Sequence, residues 1–587
     1  MLHYTPPLQD LAFVLNDLLN VDKALAGLAP YAEVNGELLL QIAEEAGRFA
    51  SEAVLPLNTG ADKPGCQWQD GRVTTPPGFA AAYKQFCELG WPSLCADPAH
   101  GGQGLPRLAF SVLNELLSSA SHAFVMYAAV NHCAAACLRH SASEALKTQW
   151  LPRLTTGSVT TSMCMTEPHA GSDIGLLRTR ALPQDDGSYR LEGSKIFASG
   201  AEHDLTDQIV HLVLARIPGA PSGSRGLSLF LVPSHTDDGV RNGVFCDGIE
   251  HKMGLHGSAT CALRFENARG WLVGSEHEGL RAMFPMMNEA RLLSGLQALG
   301  IGEAAFQNAL RYAHERRQGR APGHDAPSPI VAHPDVQRML LTQKAWQEGA
   351  RAFVHWTALL IDQADFSPDA AQRDELQALV AWLTPVIKGF LTENAQQCTY
   401  LALQIFGGHG YIAETGIEQL ARDVRVTTLY EGTTGIQAQD LLLRKVLANN
   451  GATLKQFEHT VANWLSEQAA MPELQPFTTP LAMTMGRLSA ATAELAAREN
   501  RQPGSALGAS VAYLRLTGHA VLAWLWARSA AAALHKARQG SDWHNAKLAT
   551  ARFYFTQLLP ETEQLVATLR APAQDWASAL NPAVTAS

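Results

Sequence analysis

Ile209-Val210-His211-Leu212-Val213-Leu214 is a short apolar run rich in β-branched residues, and it is one of several such runs in the middle of the chain. Tyr189-Arg190-Leu191, Leu227 to Val232 and Thr260 to Phe265 are of the same kind. Gly, Pro and Asp clusters separate them, so residues 161–274 read as a compact β domain. The patterning changes on both sides. Upstream, from Gly36 to Leu151, Leu38-Leu39-Leu40, Ile42, Ala43 and Phe49 form one helical stripe, and Leu113, Leu116, Leu117 and Phe124 belong to others. Downstream, helical spacing returns at Gly279 and runs to Asn449. A Gly/Pro-rich loop from Gly319 to Pro329 and Gly407-Gly408-His409-Gly410 interrupt it. Beyond Gly451, a tail rich in Ala and Leu carries two helical runs, Leu481 to Asn500 and Ala506 to Leu534. The expected order is an N-terminal extension (1–35), a helical domain (36–158), the β domain (159–276), a second helical domain (277–450) and an additional helical domain (451–587). The fold class is α+β.

This order excludes some chemistry. Strands and helices do not alternate and no Gly-x-Gly-x-x-Gly follows an early strand, which argues against a nicotinamide site. The phosphate-cradling Gly-x-x-x-x-Gly-Lys-Ser/Thr is missing as well. With 587 residues the chain has ample core to fold without cross-links. Its nine cysteines are odd in number and show no CxxC or Cys/His ligand spacing, so neither bridges nor a structural metal is expected. A formal charge of −10 and a nearly balanced tail argue against a broad nucleic-acid footprint. Residues 1–19 lack a basic start and a small-residue cleavage site, and no apolar stretch approaches a membrane span. The cytoplasm is the expected compartment.

Two motifs carry the chemistry. Glu431 stands alone in Leu429-Tyr430-Glu431-Gly432-Thr433-Thr434-Gly435, a carboxylate on a Gly-rich break between helical runs. Met165-Thr166-Glu167-Pro168-His169-Ala170-Gly171-Ser172-Asp173 has the glycine and hydroxyl content that lets backbone amides approach a cofactor. Together with Gly90-Trp91-Pro92, Gly101-Gly102-Gln103-Gly104, Lys252 to Ser258, Tyr312 to Arg316, Gln404 to Tyr411 and Tyr430 to Gln437, they resemble the acyl-CoA dehydrogenases over residues 36–449. The extension with Tyr4-Thr5-Pro6-Pro7 and the extra C-terminal region resemble a long bacterial branch of that family, which is not uniform in substrate. The resemblance implies an N-terminal helical domain, a central β-barrel-like domain and a C-terminal four-helix bundle, followed by the extra domain.

It also implies a reaction: loss of an α proton and a β hydride from an acyl-CoA thioester, with FAD accepting the hydride and trans-2-enoyl-CoA as product. Glu431 is the implied base. Its own backbone N–H and a ribityl hydroxyl of FAD would bond the thioester oxygen. Some members place the base immediately before the arginine matching Arg291; here that position is Ala290, and Glu289, about 100° away on a helix, is a second candidate. Arg291, Ser172 and Gly432 are implied on the substrate side. Met163, Met165, Thr166, Gly171 and Ser172 would lie along the flavin. Phe197 stands where the family commonly has Trp and Ser199 where it commonly has Thr; a Phe ring still packs on a flavin face and a Ser hydroxyl still donates. Arg316, with Gln404, Gly407 and Gly408, would reach FAD bound mainly to a neighbouring subunit, and Thr433 completes the cofactor set. At least a homodimer is implied. Gln318-Gly319-Arg320 departs from the family's usual aromatic-Gly sequence after that arginine.

The implied electron acceptor is an electron-transferring flavoprotein. An acyl-CoA oxidase, in which oxygen reoxidises the flavin, shares nearly all of these motifs. A DNA-associated homologue lacking dehydrogenase activity is a reading from another class, and the chain's acidity disfavours it. Acyl-chain length depends on which side chains face the pocket, and the motifs do not specify it.

Overall fold

The computed structural model describes residues 2–571 and Leu580; the end of the additional helical domain otherwise lies outside the described residues. The chain divides into two compact units. One comprises Met1–Leu376 with Leu391–Gly432, the other Gln377–Phe390 with Thr433–Ser587.

The first unit opens with α-helices around an apolar core. α1 (Gly36–Phe49) starts at Asn35, whose side chain accepts from the Leu38 N–H at 2.9 Å. α2 (Arg107–Ala120) is capped from a distance: the buried Asp362 carboxyl accepts from the backbone N–H groups of Arg107 (2.8 Å) and Leu108 (3.1 Å). α3 (His122–Ala128) and α4 (Val130–Ser141) follow. The helical reading of this region missed a small hairpin, β1 (Gln67–Gln69) and β2 (Arg72–Thr74). Its turn, Asp70-Gly71, has positive φ at both positions, as a two-residue hairpin loop requires, but three-residue strands are too short to show a period of two.

The β domain closes on itself. Its strands are β3 (Thr160–Cys164), β4 (Arg180–Pro183), β5 (Tyr189–Ser199), β6 (Ile209–Arg216), β7 (Leu227–Pro233), β8 (Val244–Ile249) and β9 (Thr260–Val273). β6 pairs with β4, β4 with β5, β5 with β9, β9 with β7, and β7 again with β6, so five strands form a ring. β3 and β8 are attached to β6 and β9. Val213, Phe230, Phe265, Leu191 and Leu263 fill its core. β5 and β9 continue well past the apolar runs that announced them, because bulges between Leu191 and Gly193 and between Lys195 and Ala198 let a bent strand keep pairing.

After the β domain this unit continues with α5 (Gly279–Glu315), α6 (Pro334–Phe366), α7 (Thr392–Phe406) and α8 (Ile417–Val424). α5 packs on α2, α4, α6 and α7 and so runs through the middle of the unit. The expected loop at Gly319–Pro329 is present, closed by an isolated bridge between Arg317 and Pro329. The N-terminal extension is tied to α5 by amide side chains acting as a strand would: Asn308 bonds both the N–H and the C=O of His3, and Gln307 does the same for Thr5, all at 2.8–2.9 Å.

In the second unit, α9 (Gln475–Arg501), α10 (Ser510–Arg538) and α11 (Asp542–Phe553) pack together. Trp382 contributes to this core: it meets Phe457 at 5.4 Å, and Phe457 meets Trp524 edge-on at 5.5 Å. Gly518 lies against the ring of Phe390, where a Cβ would come within 2.4 Å. Among the described residues, no helix is long and apolar enough to cross a membrane.

Candidate active site

Glu431 is held in an unusual backbone state. It has φ +55°, and Gly432 after it has φ +91°, so two successive residues are left-handed before Thr433 begins the helix Thr434–Gln439. For a residue with a Cβ this costs on the order of 1–2 kcal/mol, so packing must impose it. Tyr430 supplies the anchor. Its hydroxyl donates to the Gln297 side chain on α5 and lies 3.2 Å from His122 Nε2 at the start of α3. Burial pushes the His122 imidazole down to about 3, so it is neutral and serves as a hydrogen-bonding partner only. The Glu431 side chain is half-buried and lies within electrostatic reach of α4: burial, Glu289 and then Glu431 raise the pKa of the Cys133 thiol on that helix. The motif around Glu431 is legible in the sequence but this anchor is not, because His122 and Gln297 lie far away in the chain.

Glu289 is held as an ion-paired carboxylate. Its buried carboxylate is bonded by Arg107 Nε at 2.6 Å and approached by His132 Nε2 at 3.4 Å. Burial alone would raise its pKa, but Arg107 outweighs that and holds the carboxyl well below the usual range. A carboxylate that stays ionised and paired gains little by taking a proton from carbon. Arg291 lies two residues further along α5, about 200° round the helix, and is also buried.

The segment Met163–Ser172 leaves the end of β3 and is clamped from below by Glu167. Glu167 accepts from Lys195 Nζ (2.8 Å), Thr179 Oγ1 (2.7 Å) and the backbone N–H groups of Thr179 (3.0 Å) and Arg178 (2.7 Å), while Lys195 also donates to the Met165 carbonyl at 2.9 Å. The Ile196 N–H bonds the Thr166 carbonyl at 2.9 Å, which ties the segment to β5. Burial favours protonation of Glu167, but Lys195 and the hydrogen bonds outweigh it and lower its pKa. The stability so gained is fully present above the ordinary glutamate value of about 4.3 and is lost as pH falls through the lowered one. Thermal melts across the acid range are expected to show this limb in the wild type and to lose part of it in Lys195→Met; identical acid limbs would contradict the assignment.

Above the clamp the segment is open. Gly171 and Ser172 are exposed, and Met163, Met165 and Thr166 are half-buried. The bulge in β5 throws Phe197 outward with φ +57°, leaving its ring 58% exposed, a costly placement for an aromatic on a strained backbone. Ser199 follows, half-buried. Among the described residues, the hydroxyls of Thr166, Ser172 and Ser199 make no hydrogen bond within the chain. An exposed ring flanked by unused hydroxyls suits a flat, polar-edged ligand.

Arg316, Gln404, Gly407 and Gly408 form a second cluster at the ends of α5 and α7. Tyr312 stacks on Phe406 (4.2 Å) and its hydroxyl meets His409 Nδ1 at 3.1 Å, which brings Arg316 beside the glycine turn. Arg316 is exposed, its side chain bonded to Gln318 at 3.3 Å. Gly407 has φ +58° with ψ −136°, a conformation open to glycine, and a Cβ added there or at Gly408 would meet nothing within 4 Å. Gln404 is exposed on the same turn, and Tyr411 beyond it is 91% exposed. Thr433 is exposed at the N-cap of the helix Thr434–Gln439.

Family models match the chain in one unbroken order: acyl-CoA dehydrogenase N-terminal domain over residues 37–158, middle domain over 162–268 and C-terminal domain over 277–445. The chain belongs to the acyl-CoA dehydrogenase family. A further model, acetyl-CoA dehydrogenase C-terminal like, covers residues 453–579 of this acyl-CoA dehydrogenase. It is similar to the 3-methylmercaptopropionyl-CoA dehydrogenase of Ruegeria pomeroyi, 40% identical over 95% of this chain and 96% of that one. The broad-specificity linear acyl-CoA dehydrogenase FadE5 of Mycobacterium tuberculosis is 35% identical over 97% and 98%. In fold, it resembles Caenorhabditis elegans ACDH-11, solved in complex with C11-CoA, with a TM-score of 0.75, 21% identity, and 95% and 92% of the two chains covered. A chain in the solved structure of the electron transferring flavoprotein of Acidaminococcus fermentans is 27% identical with a TM-score of 0.58, over 69% of this chain and 98% of that one. As a member of this family the protein is an oxidoreductase.

Proposed function

We propose that the protein converts an acyl-CoA thioester to the trans-2-enoyl-CoA with FAD, that Glu431 takes the α proton, and that electrons pass to an electron-transferring flavoprotein. The observation that carries this is the left-handed turn beside the anchored Tyr430, which holds one half-buried carboxylate on a Gly-rich break. A carboxylate in water is far too weak a base for a proton beside a thioester. Glu431 would escape that limit because it is half-buried next to the buried Tyr430 and a bound acyl chain would exclude the remaining water. Its own backbone N–H, with a ribityl hydroxyl of FAD, would bond the thioester oxygen, so charge developing on that oxygen would be stabilised; each such donor is worth roughly 3 kcal/mol. Arg291 offers a permanent charge and Ser172 a hydroxyl on the CoA side.

The residues fit FAD. When bound, it accepts the β hydride at the flavin N5. Phe197 would be the platform for the ring, Met163, Met165, Thr166 and Gly171 would hold its polar edge through backbone and hydroxyl groups, and Ser199 would donate to it. Arg316, with its paired donors, suits the pyrophosphate. Gln404, Gly407, Gly408 and Thr433 complete the set. We place Arg316 and the glycine turn on FAD held by a second copy of the chain. The exposed Tyr400, Tyr411 and Ile412 around that turn support a homodimer or larger homo-oligomer. The proposed compartment is the cytoplasm.

Arg316→Ala is expected to lose FAD on gel filtration, with retention weakened by tenfold or more, because charge-assisted bonds to phosphate disappear. Full flavin occupancy in a monodisperse monomer would contradict the shared site. The reaction itself is tested with a panel of acyl-CoAs, purified FAD-loaded protein and an artificial electron acceptor. One class of acyl-CoA should bleach the flavin, and failure of every acyl-CoA to do so would overturn the reading.

A further inference from the structure

We propose that Asp423 is a positioning residue that sets the gap between Glu431 and the flavin-facing strand β5 by holding the turn Gly254-Leu255 against α8. This rests on the reading of Glu431 as the base and of β5 as the flavin wall. One loop, Lys252 to Ser258, reaches both. Past its end the chain enters β9, where Thr260 pairs with Ser199 and Cys261 with Ala198, and the Ala259 carbonyl accepts from the Gly200 N–H at 2.9 Å. A shift of the loop is therefore felt at Phe197 and Ser199. On its other side lies α8, where the buried Asp423 carboxylate accepts from the Leu255 N–H at 2.6 Å. Eight residues after Asp423 the chain reaches Glu431, through the turn Arg425–Thr428 and a bond from the Tyr430 N–H to the Val426 carbonyl at 3.1 Å. The Asp423 contact is thus a short link between the base segment and the flavin wall.

The turn needs this hold. Leu255 is left-handed at φ +52°, a state that a residue with a Cβ keeps only where its surroundings impose it. The fit against α8 is tight: a Cβ added to Gly254 would come within 2.6 Å of Asp423 Oδ1 and 2.8 Å of the Arg422 backbone. Other contacts brace the rest of the loop. His256 Nδ1 lies 3.0 Å from the Asp62 carboxylate and its Nε2 2.8 Å from the Lys252 carbonyl, while Lys252 Nζ donates to the Ser258 carbonyl at 2.8 Å. Arg422 donates to the Met253 carbonyl at 3.2 Å, but its guanidinium is shared with Asp62 and Glu418. Gln419 donates to the second Asp423 oxygen at 3.2 Å and so helps to fix the carboxylate. Hydride transfer is the step such a link serves, because it needs the β carbon against the flavin, whereas proton removal needs only Glu431 beside the α carbon.

The test uses FAD-loaded wild type, Asp423→Ala and Gly254→Ala, the last pushing the turn off α8 from the other side. Flavin reduction at saturation, by an acyl-CoA that bleaches the wild type, should slow roughly tenfold or more per bound flavin in both variants, since a misplacement of about 1 Å can cost that much. Two readouts should stay close to wild type: binding of a 3-thiaacyl-CoA, whose β sulfur cannot yield a hydride, and exchange of its α hydrogen in heavy water. A role in folding alone would lower flavin content or melting temperature and leave the rate per bound flavin unchanged, and that result overturns the proposal. So does a loss of exchange equal to the loss of flavin reduction, which would place the fault at Glu431 itself. If Asp423→Ala does not fold, Gly254→Ala decides; failure of both to fold makes the contact a folding one and overturns the positioning role. A wild type that neither exchanges nor bleaches would strike the dehydrogenase reading itself, a result distinct from an unaltered variant.

Discussion

Glu431→Gln is expected to retain FAD and bind acyl-CoA but to lose roughly 10²-fold or more of its flavin reduction rate, the usual cost of deleting a positioned base. The substitution keeps the shape of the side chain and its backbone turn, so the anchor from Tyr430 to Gln297 and His122 should persist. What disappears is the proton acceptor. No neighbour replaces it: Glu289 is ionised but bound to Arg107, and His122 is neutral but turned to Tyr430. Stopped-flow bleaching with excess acyl-CoA measures the step directly. Retention of the wild-type rate would mean that another group takes the proton.

Arg351→Met is expected to cost about 3–5 kcal/mol of stability, the scale for removing one partner from a buried ionic cluster. Arg351 is 1% exposed and holds three carboxylates: Asp10 at 2.6 Å, Glu115 at 2.7 Å and Glu303 at 3.0 Å. Glu115 also faces His355 Nε2 at 2.7 Å, and His355 shares a hydrogen bond with Ser111. These residues come from the N-terminal extension, α2, α5 and α6, so one guanidinium joins four parts of the first unit. Met fills similar volume, which separates loss of charge from loss of packing. Burial raises the Glu115 carboxyl, yet Arg351 and His355 outweigh it and lower its pKa, so the cluster's contribution is present at neutral pH and fades as the solution is acidified. Urea unfolding of the two proteins at neutral pH checks the difference. A change below about 1 kcal/mol, typical of an exposed ion pair, would contradict a cluster that is buried and essential.

Much of the architecture could be read from periodicity. The switch from helical spacing to short apolar runs and back marks the β domain, because burying one helix face or one sheet face imposes those repeats. The closing of the barrel was not legible in the runs themselves: β7 meets both β6 and β9, and the pairing depends on distant partners and bulges. The same division holds at the candidate site. Glu431, the Thr166 segment and the Gly407 turn stand out as local motifs, since glycine and hydroxyl content is a local property. The anchor beside Glu431 is not local, for Tyr430 reaches His122 and Gln297. Nor could residue spacing reveal that Glu289 is bound, because Arg107 is 182 positions away in sequence.

The central claim is that Glu431 removes a proton from the carbon next to the thioester. It is tested most directly with a 3-thiaacyl-CoA, in which sulfur replaces the β carbon so that no hydride can leave, incubated with the oxidised enzyme in heavy water. Wild type should exchange the α hydrogen for deuterium, read by mass spectrometry, while Glu431→Gln should exchange it no faster than buffer. Equal exchange by the two proteins would contradict the account.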